Sequence, residues 1–328
     1  MVHVVIVNYR TINLTLKCLE SISIEVLNDG HVQVTVVENA SGEAARLRAA
    51  ISEKGWESWV EVIDAERNGG FSYGNNLAIA AALASAAPPA YFILLNPDTE
   101  ARGNTIRTLA DFMDDHPDAG IGGSSIENQD GSDWPIAFRF PSIASELEQE
   151  MRFGPISRLL KKSKITREMT HRAEPVDWVS GACMIIRRNV LDDIGLMDEQ
   201  FFLYFEEVDF CLRAACKNWT CWYIPQSRIM HLSGESTGAS GANHAAKRMP
   251  DYWFASRRRF FVKNHGITYA CCADIAFIVG LGFFRVRNFL SGRVDMHRPR
   301  MLRDFLRTSI LFHSASKPET CVSDLRNG

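Results

Sequence analysis

The sequence predicts an α/β fold: a mostly parallel sheet with helices on both faces, followed by a helical C-terminal extension. Three observations carry this reading. Short apolar, β-branched runs at 4–7, 32–37, 60–63 and 91–95 alternate with helix-period segments. The connections between them are short and rich in Gly, Asn and Pro. The strand runs end in polar residues, at Asn8-Tyr9, Glu38-Asn39, Arg67-Asn68 and Asn96-Pro97-Asp98. In open sheets of this kind ligands bind beyond the carboxyl ends of the strands, so these four ends mark one candidate rim.

The elements follow in order. After the first run, Ile12, Leu16, Leu19 and Ile22 recur at helical spacing. The second run stops in the turn sequence Glu38-Asn39-Ala40-Ser41-Gly42, and a helix follows to about Lys54. The third run leads through Arg67-Asn68-Gly69-Gly70 to Ser72, placed to cap an Ala-rich helix reaching about Ala87, where Pro88-Pro89 stops it. The fourth run is cut by Asn96-Pro97. The stretch 130–170, with Trp134, Phe138 and Phe140 amid Pro and Gly, reads as a long loop with an exposed Lys161-Lys162-Ser163-Lys164. Strands return at 178–186 and 221–224.

The 328 residues have the composition of a soluble globular protein, and a net charge of -3 argues against nucleic acid as a partner. That average hides an asymmetry. From about Ser240 onward roughly 15 Lys and Arg stand against about 6 Asp and Glu. Eight cysteines are scattered without a C-x-x-C pair, and the five-residue recurrence of Cys211, Cys216 and Cys221 is not a zinc spacing. Free thiols in a reducing cytosol are expected. The first residues read as a buried strand and not as a signal peptide, so a cytoplasmic protein is expected.

The chemistry concentrates in Phe202-Leu203-Tyr204-Phe205-Glu206-Glu207-Val208-Asp209. Acids in a first helical turn complement the helix dipole, but the aromatic residues in front point to a partly dry pocket, where a carboxylate becomes a general base. On helical spacing Glu206 and Asp209 share a face and Glu207 points about 100° away, so different roles are expected. Asp98, just past a buried strand, reads either as part of a turn or as a ligand to a divalent cation that also holds a diphosphate. His231 reads either as a satisfied histidine or as a second ligand to a Mn²⁺-type ion. The polar run 231–238 has the composition to fold over a phosphate. The segment Gly69-Gly70-Phe71-Ser72-Tyr73-Gly74-Asn75-Asn76 is a glycine-rich helix entry able to present N–H groups to phosphate. It is neither G-x-G-x-x-G nor a P-loop, which argues against a nicotinamide dehydrogenase. At the C-terminal end, Arg257-Arg258-Arg259-Phe260-Phe261-Val262-Lys263 precedes an apolar stretch, 267–289. Asp274, Gly280 and Gly282 argue against a spanning helix. Two readings stay open: a basic, apolar helix on an anionic membrane, or a helix packed on the main domain.

Taken together, Val5-Ile6-Val7-Asn8-Tyr9, Val36-Val37-Glu38-Asn39-Ala40-Ser41, Asn68-Gly69-Gly70-Phe71 with Gly74-Asn75-Asn76, Leu95-Asn96-Pro97-Asp98, Trp178-Val179-Ser180-Gly181-Ala182, the 202–209 run and His231 come in an order that resembles one family. This is the family 2 inverting glycosyltransferases of GT-A fold, in particular the rhamnosyltransferase-like branch. The resemblance implies a GT-A domain over 1–240 holding donor and acceptor sites, with 241–328 as the basic, partly apolar helical extension. It implies that Asn8, Tyr9, Glu38, Asn39, Arg67, Asn68, Gly70, Phe71, Asn75 and Asn96 bind the nucleotide-sugar donor. Trp178, Gly181 and Ala182 would meet the acceptor, a saccharide or lipid-linked saccharide. Asp98 and His231 would hold Mn²⁺ or Mg²⁺, and Glu207, with Glu206 and Asp209, would make the catalytic acid cluster. Two positions depart from the family pattern. Asn96 stands where many relatives carry a first Asp, leaving one carboxylate, and Glu38 replaces the more usual Asp. The implied activity is transfer of a sugar, first L-rhamnose from dTDP-L-rhamnose, in cell-surface polysaccharide synthesis at the inner face of the plasma membrane. Rival readings are use of another UDP- or GDP-sugar, a sugar nucleotidyltransferase, and a non-catalytic saccharide-binding protein. The nucleotidyltransferase would need an early Gly- and Arg-rich loop that Asn8-Tyr9-Arg10-Thr11 does not supply.

Overall fold

The computed structural model describes residues 1–128, 131–232, 248–292 and 298–312. Strand and helix alternate through β1 (Val2–Asn8), α1 (Ile12–Asp29), β2 (Val32–Glu38), α2 (Ala44–Glu53), β3 (Val60–Asp64), α3 (Gly70–Leu83) and β4 (Tyr91–Leu95). The chain continues through β5 (Thr99–Arg102), α4 (Thr105–Asp115), β6 (Ala119–Glu127), β7 (Asp133–Trp134), α5 (Ile143–Met151), α6 (Gly154–Leu159), β8 (Glu174–Val176), β9 (Cys183–Arg187), α7 (Arg188–Ile194), α8 (Glu206–Ala215), β10 (Thr220–His231), α9 (Asp251–Leu290) and α10 (Met301–Thr308). These residues form two compact units. One takes the described residues within 1–138, 166–199 and 206–232; the other takes those within 139–165, 200–205, 248–292 and 298–312. The C-terminal segment therefore shares its unit with two earlier pieces of chain.

The first unit is built on a sheet of order β3-β2-β1-β4-β9-β6-β10-β5, with β7 on β6 and β8 on β10. The first four strands are parallel, as the alternation of short runs and helices requires. β9 then enters antiparallel between β4 and β6. Every residue of β4 is buried, so both faces of the sheet centre are covered, and this is why the strand reads as an unbroken apolar run. β6 carries glycines because its neighbours press close. A Cβ on Gly123 would lie 2.6 Å from Val179 Cβ.

Four local expectations change. Ser72 does not cap α3; the helix starts at Gly70, with Gly69 at the cap position, and ends at Leu83 before the Ala-Ser run. The strand foreseen at 178–186 begins at Cys183. His231 is the last residue of a long strand, not the sequel to a short one. β10 runs on through Pro225 because its register slips between Ile224 and Arg228, and that bulge accommodates the residue lacking an N–H. The stretch 130–170 is not one long loop. It contains α5 and α6, and a capping box of Ser142 and Ser145 starts α5.

In the second unit α5 packs against α9, and α10 returns onto α9. Gly280 lets α5 approach, since a Cβ there would sit 2.9 Å from the Leu147 carbonyl oxygen. α9 is interrupted at Gly266, whose φ of 82 suits a residue without a Cβ. Phe254, Phe277, Leu281, Met301 and Phe305 form the core here. Within it Arg257 is buried and bonds Glu146 through Nε and Nη2 (2.9 and 2.7 Å) and Asp274 through Nη1 (2.6 Å).

Burial pushes the Glu150 carboxyl up from 4.5 to about 7. The folded protein therefore binds a proton that the unfolded chain has lost above its ordinary carboxylate value. Stability from this group is complete below about 4.5 and is lost as pH rises through about 7. Glu150→Gln is expected to be more stable than the parent at about pH 8 and to lose that advantage at about pH 4. Urea unfolding at both values checks this, and equal differences at the two would contradict it.

Candidate active site

The carboxyl ends of β1, β2 and β3 are joined by a polar network. Asn8, fully buried, accepts from Thr15 Oγ1 (2.8 Å) and Thr11 Oγ1 (3.1 Å) and donates to Glu43 Oε2 (3.1 Å). Its side chain anchors the start of α1 and the 41–43 turn. Glu38, also fully buried, accepts from Ser41 N (2.8 Å) and Ser41 Oγ through Oε1, while its Oε2 has no hydrogen-bond partner. Asn39 donates to Asn68 Oδ1 (3.0 Å) and the Gly70 carbonyl oxygen (3.2 Å), and so fixes the glycine-rich entry to α3. Arg67 lies over the Tyr73 ring (4.4 Å) and near Glu199 (3.8 Å), mostly exposed. Tyr9 sits beneath Arg10 (5.2 Å). Asn75 donates to the Phe71 carbonyl oxygen (2.9 Å), leaving its buried Oδ1 unpartnered, as is the buried Ser72 Oγ.

A second group of loops meets around Gly181 and Ala182. The Phe71 ring lies against Gly181, where a Cβ would be 3.1 Å from Phe71 Cζ. Asn96 N donates to the Ala182 carbonyl oxygen (2.9 Å). The Gly181 N–H also faces the Glu207 carboxyl and lowers its proton affinity. Two residues thus join the α3 entry, the turn after β4 and the first turn of α8. Gly181→Ala is expected to displace Phe71 by a few tenths of an ångström and lower turnover by about 10- to 100-fold, with stability changed by about 1 kcal/mol. Steady-state kinetics beside a thermal melt test this; a loss of fold with no specific loss of rate would contradict it.

Beyond Asn96, Asp98 is fully buried and its Oδ1 lies 3.1 Å from His231 Nε2. The pairing of His231 with Thr99 across β10 and β5 sets this contact. His231 Nδ1 is buried without a partner, and the Trp134 ring stands edge-on to the imidazole at 6.4 Å. An oxygen and a nitrogen donor side by side suit a Mn²⁺- or Mg²⁺-type ion that completes its shell with diphosphate and water. Among the described residues no cluster of three or more His, Cys, Asp or Glu forms a fuller site. The part of the 231–238 run beyond Leu232 lies outside the described residues.

The three acids of α8 differ in surroundings. Asp209 is buried and paired with Arg213 Nε (2.9 Å), whose Nη groups donate to the Ile194 and Leu196 carbonyl oxygens. Its role here is to tie α8 to the end of α7. The carboxyls of Glu206 and Glu207 are close enough to act on each other's protonation. Burial, then the charge of Glu207, holds Glu206 well above the usual carboxylate range. Burial also raises Glu207, but backbone N–H groups, including that of Gly181, and the Glu206 carboxyl restrain the rise. Of the two, Glu206 is the carboxyl held further above its ordinary value. Just before the helix, Tyr204 and Phe205 have φ of 69 and 66, a left-handed pair that non-glycine residues adopt at a cost of about 1–2 kcal/mol each.

Trp178 stacks on Phe138 (4.2 Å, 18°) and is half-buried. The site also uses Ser41, Glu43, Ser72 and Trp134, which sequence reasoning did not assign. The turn Ser41-Gly42-Glu43 was the only available signal for the first two.

A family model described as "Glycosyltransferase like family 2" matches residues 1–249. The chain belongs to this family. An N-acetylglucosaminyl-diphospho-decaprenol L-rhamnosyltransferase of Mycobacterium tuberculosis is 32% identical over 171 residues, 51% of this chain and 55% of that protein. The dTDP-rhamnosyl transferase RfbF of Shigella flexneri is 26% identical over 267 residues, 80% of this chain and 81% of that one. The chain thus spans about half the length of the first relative and most of the second. Among solved structures, GalNAc-T7 with UDP, GalNAc and Mn2+ is similar with a TM-score of 0.57 at 14% identity, covering 94% of this chain and 54% of that one. This agrees with the expected GT-A fold.

Proposed function

We propose that this protein transfers a sugar from a nucleotide-diphosphate donor to a saccharide acceptor with inversion at the anomeric carbon. One observation carries the reading. Glu38 Oε2, Ser72 Oγ, Asn75 Oδ1, His231 Nδ1, Glu206 Oε2 and Glu207 Oε2 are all buried and unpartnered, and they stand at the last residues of β2 and β10 and in the first turns of α3 and α8. Folded proteins leave few such atoms without a partner, and a bound polar ligand answers them. Glu38 Oε2, without a protein partner, accepts from a nucleoside hydroxyl or N–H in this reading, and the α3 entry receives the diphosphate. Glu207 takes the proton of the attacking acceptor hydroxyl as its oxygen bonds to the anomeric carbon. The bond from that carbon to the diphosphate oxygen breaks, and its electron pair leaves with the nucleotide. Glu206 holds its own proton on Glu207 and keeps that carboxylate oriented. Trp178, Gly181 and Ala182 meet the acceptor, with the donor-side Phe71 packed against Gly181. A divalent cation held by Asp98 and His231, when bound, lowers the energy of the departing diphosphate charge.

The donor proposed first is dTDP-L-rhamnose and the acceptor a lipid-linked saccharide at the inner face of the membrane. The names of the two relatives support the rhamnosyl donor and, for the first, the lipid-linked acceptor. Calorimetry with dTDP, in Mn²⁺ or in EDTA, tests the metal role. Binding is expected to weaken by about tenfold or more in EDTA, and His231→Ala is expected to remove that difference. Equal affinity in both buffers for the parent protein would contradict it.

A further inference from the structure

α9 is long and apolar enough by composition to cross a membrane, yet it is apolar on two sides for different reasons. Its inner side makes the core with Phe277, Leu281 and Phe284. Its outer side presents Ile275, Val279, Phe283, Val286, Phe289 and Leu290, all exposed, with Val286 at 59% and Leu290 at 78%. Spacings of three and four place these residues along one stripe. A soluble helix puts polar residues there, and a contiguous apolar patch of this kind marks an interaction surface.

On the flank of α9 where α10 packs, Arg285 of α9 and Leu302, Arg303, Leu306 and Arg307 of α10 line a cleft of about 490 Å³. Three guanidinium groups over leucines match an anion carried on an apolar body. One acid of this unit, the buried Glu150, acts on Arg285, and the others face cations outside the cleft. Among the described residues Glu146 and Asp274 bond Arg257, Glu148 meets Lys164, Asp251 and Asp304 meet Arg248, and Glu150 is buried. A second copy of the chain would set this positive surface against itself.

We propose that the outer face of α9 and the three-arginine cleft form a docking site for a bilayer of anionic phospholipid, lipid phosphate entering the cleft and the stripe lying among acyl chains. The inference extends the membrane reading given above to particular residues. The helix lies on the surface and does not span, because Asp274 is locked to Arg257 in the core of its own unit.

The test is co-sedimentation of the full chain with phosphatidylcholine vesicles, with and without phosphatidylglycerol. Binding is expected only with the anionic lipid. Arg303→Gln with Arg307→Gln is expected to weaken it by roughly 25-fold, about fivefold per charge removed. Val286→Glu is expected to abolish it, with circular dichroism unchanged. Binding to neutral vesicles alone, binding unaffected by either variant, or no binding would overturn the proposal. So would displacement by millimolar inorganic phosphate, which would mean a free-phosphate site, or loss of the exposed stripe to self-association in light scattering. Nucleotide release from a soluble donor, measured on the same variants, is expected to persist. Its absence in the parent protein would instead count against the transferase reading and leave the vesicle result standing.

Discussion

Glu207→Gln is expected to bind nucleotide as the parent does and to lose about 10²–10⁴ in turnover, the range for removal of a general base. The isosteric amide can accept from Gly181 N–H but cannot take a proton. The pH dependence separates this from a structural effect. Burial raises Glu207 above the ordinary carboxylate range, so the parent rate should fall as pH drops through that raised value. The Gln variant should show no such acid limb. Glu206→Gln keeps a donor toward Glu207 and is expected to retain most of the rate, with the acid limb moved. A Glu207→Gln protein of parental turnover, or an acid limb that survives in it, would contradict the assignment.

Arg257→Met is expected to lose about 3–5 kcal/mol of stability, because it leaves Glu146 and Asp274 buried without their cation. The guanidinium also lies within 4.8–5.3 Å of the Phe261, Phe277 and Phe305 ring centres. Asp274 Oδ2 in turn accepts from Ser309 Oγ (2.6 Å) and Ile310 N (3.0 Å), so the loss should spread to the chain after α10. Neutralising both acids, with Glu146→Gln and Asp274→Asn added to Arg257→Met, is expected to recover much of it, since the penalty belongs to the unpaired charges. Urea unfolding of the single and triple variants gives the comparison; a single variant within about 1 kcal/mol of the parent would contradict it.

This triad shows where the sequence stops being legible. Arg257-Arg258-Arg259 reads as a solvated basic run, yet helix geometry sends consecutive side chains in different directions and turns Arg257 inward. Its partners lie 17 and 111 residues away, beyond any local pattern. The parallel half of the sheet, by contrast, is written locally. β-branched runs broken by Asn, Gly and Pro mark β1 to β4 to within two residues at either end. The α5–α6 region misled because its aromatic and Pro residues serve packing inside a small helical unit. In the site, residue types were readable and their pairings were not. The Asp98–His231 contact depends on β10 pairing with β5, and the raised proton affinity of Glu206 and Glu207 is set by burial that only the folded chain creates.

The most direct measurement is release of nucleoside diphosphate from a panel of nucleotide sugars, dTDP-L-rhamnose first, with a saccharide acceptor in Mn²⁺, for the parent and Glu207→Gln. The account predicts release from one donor, dependent on acceptor and lost in the variant. Release that persists in Glu207→Gln, or none from any donor in the parent despite bound nucleotide, would contradict it.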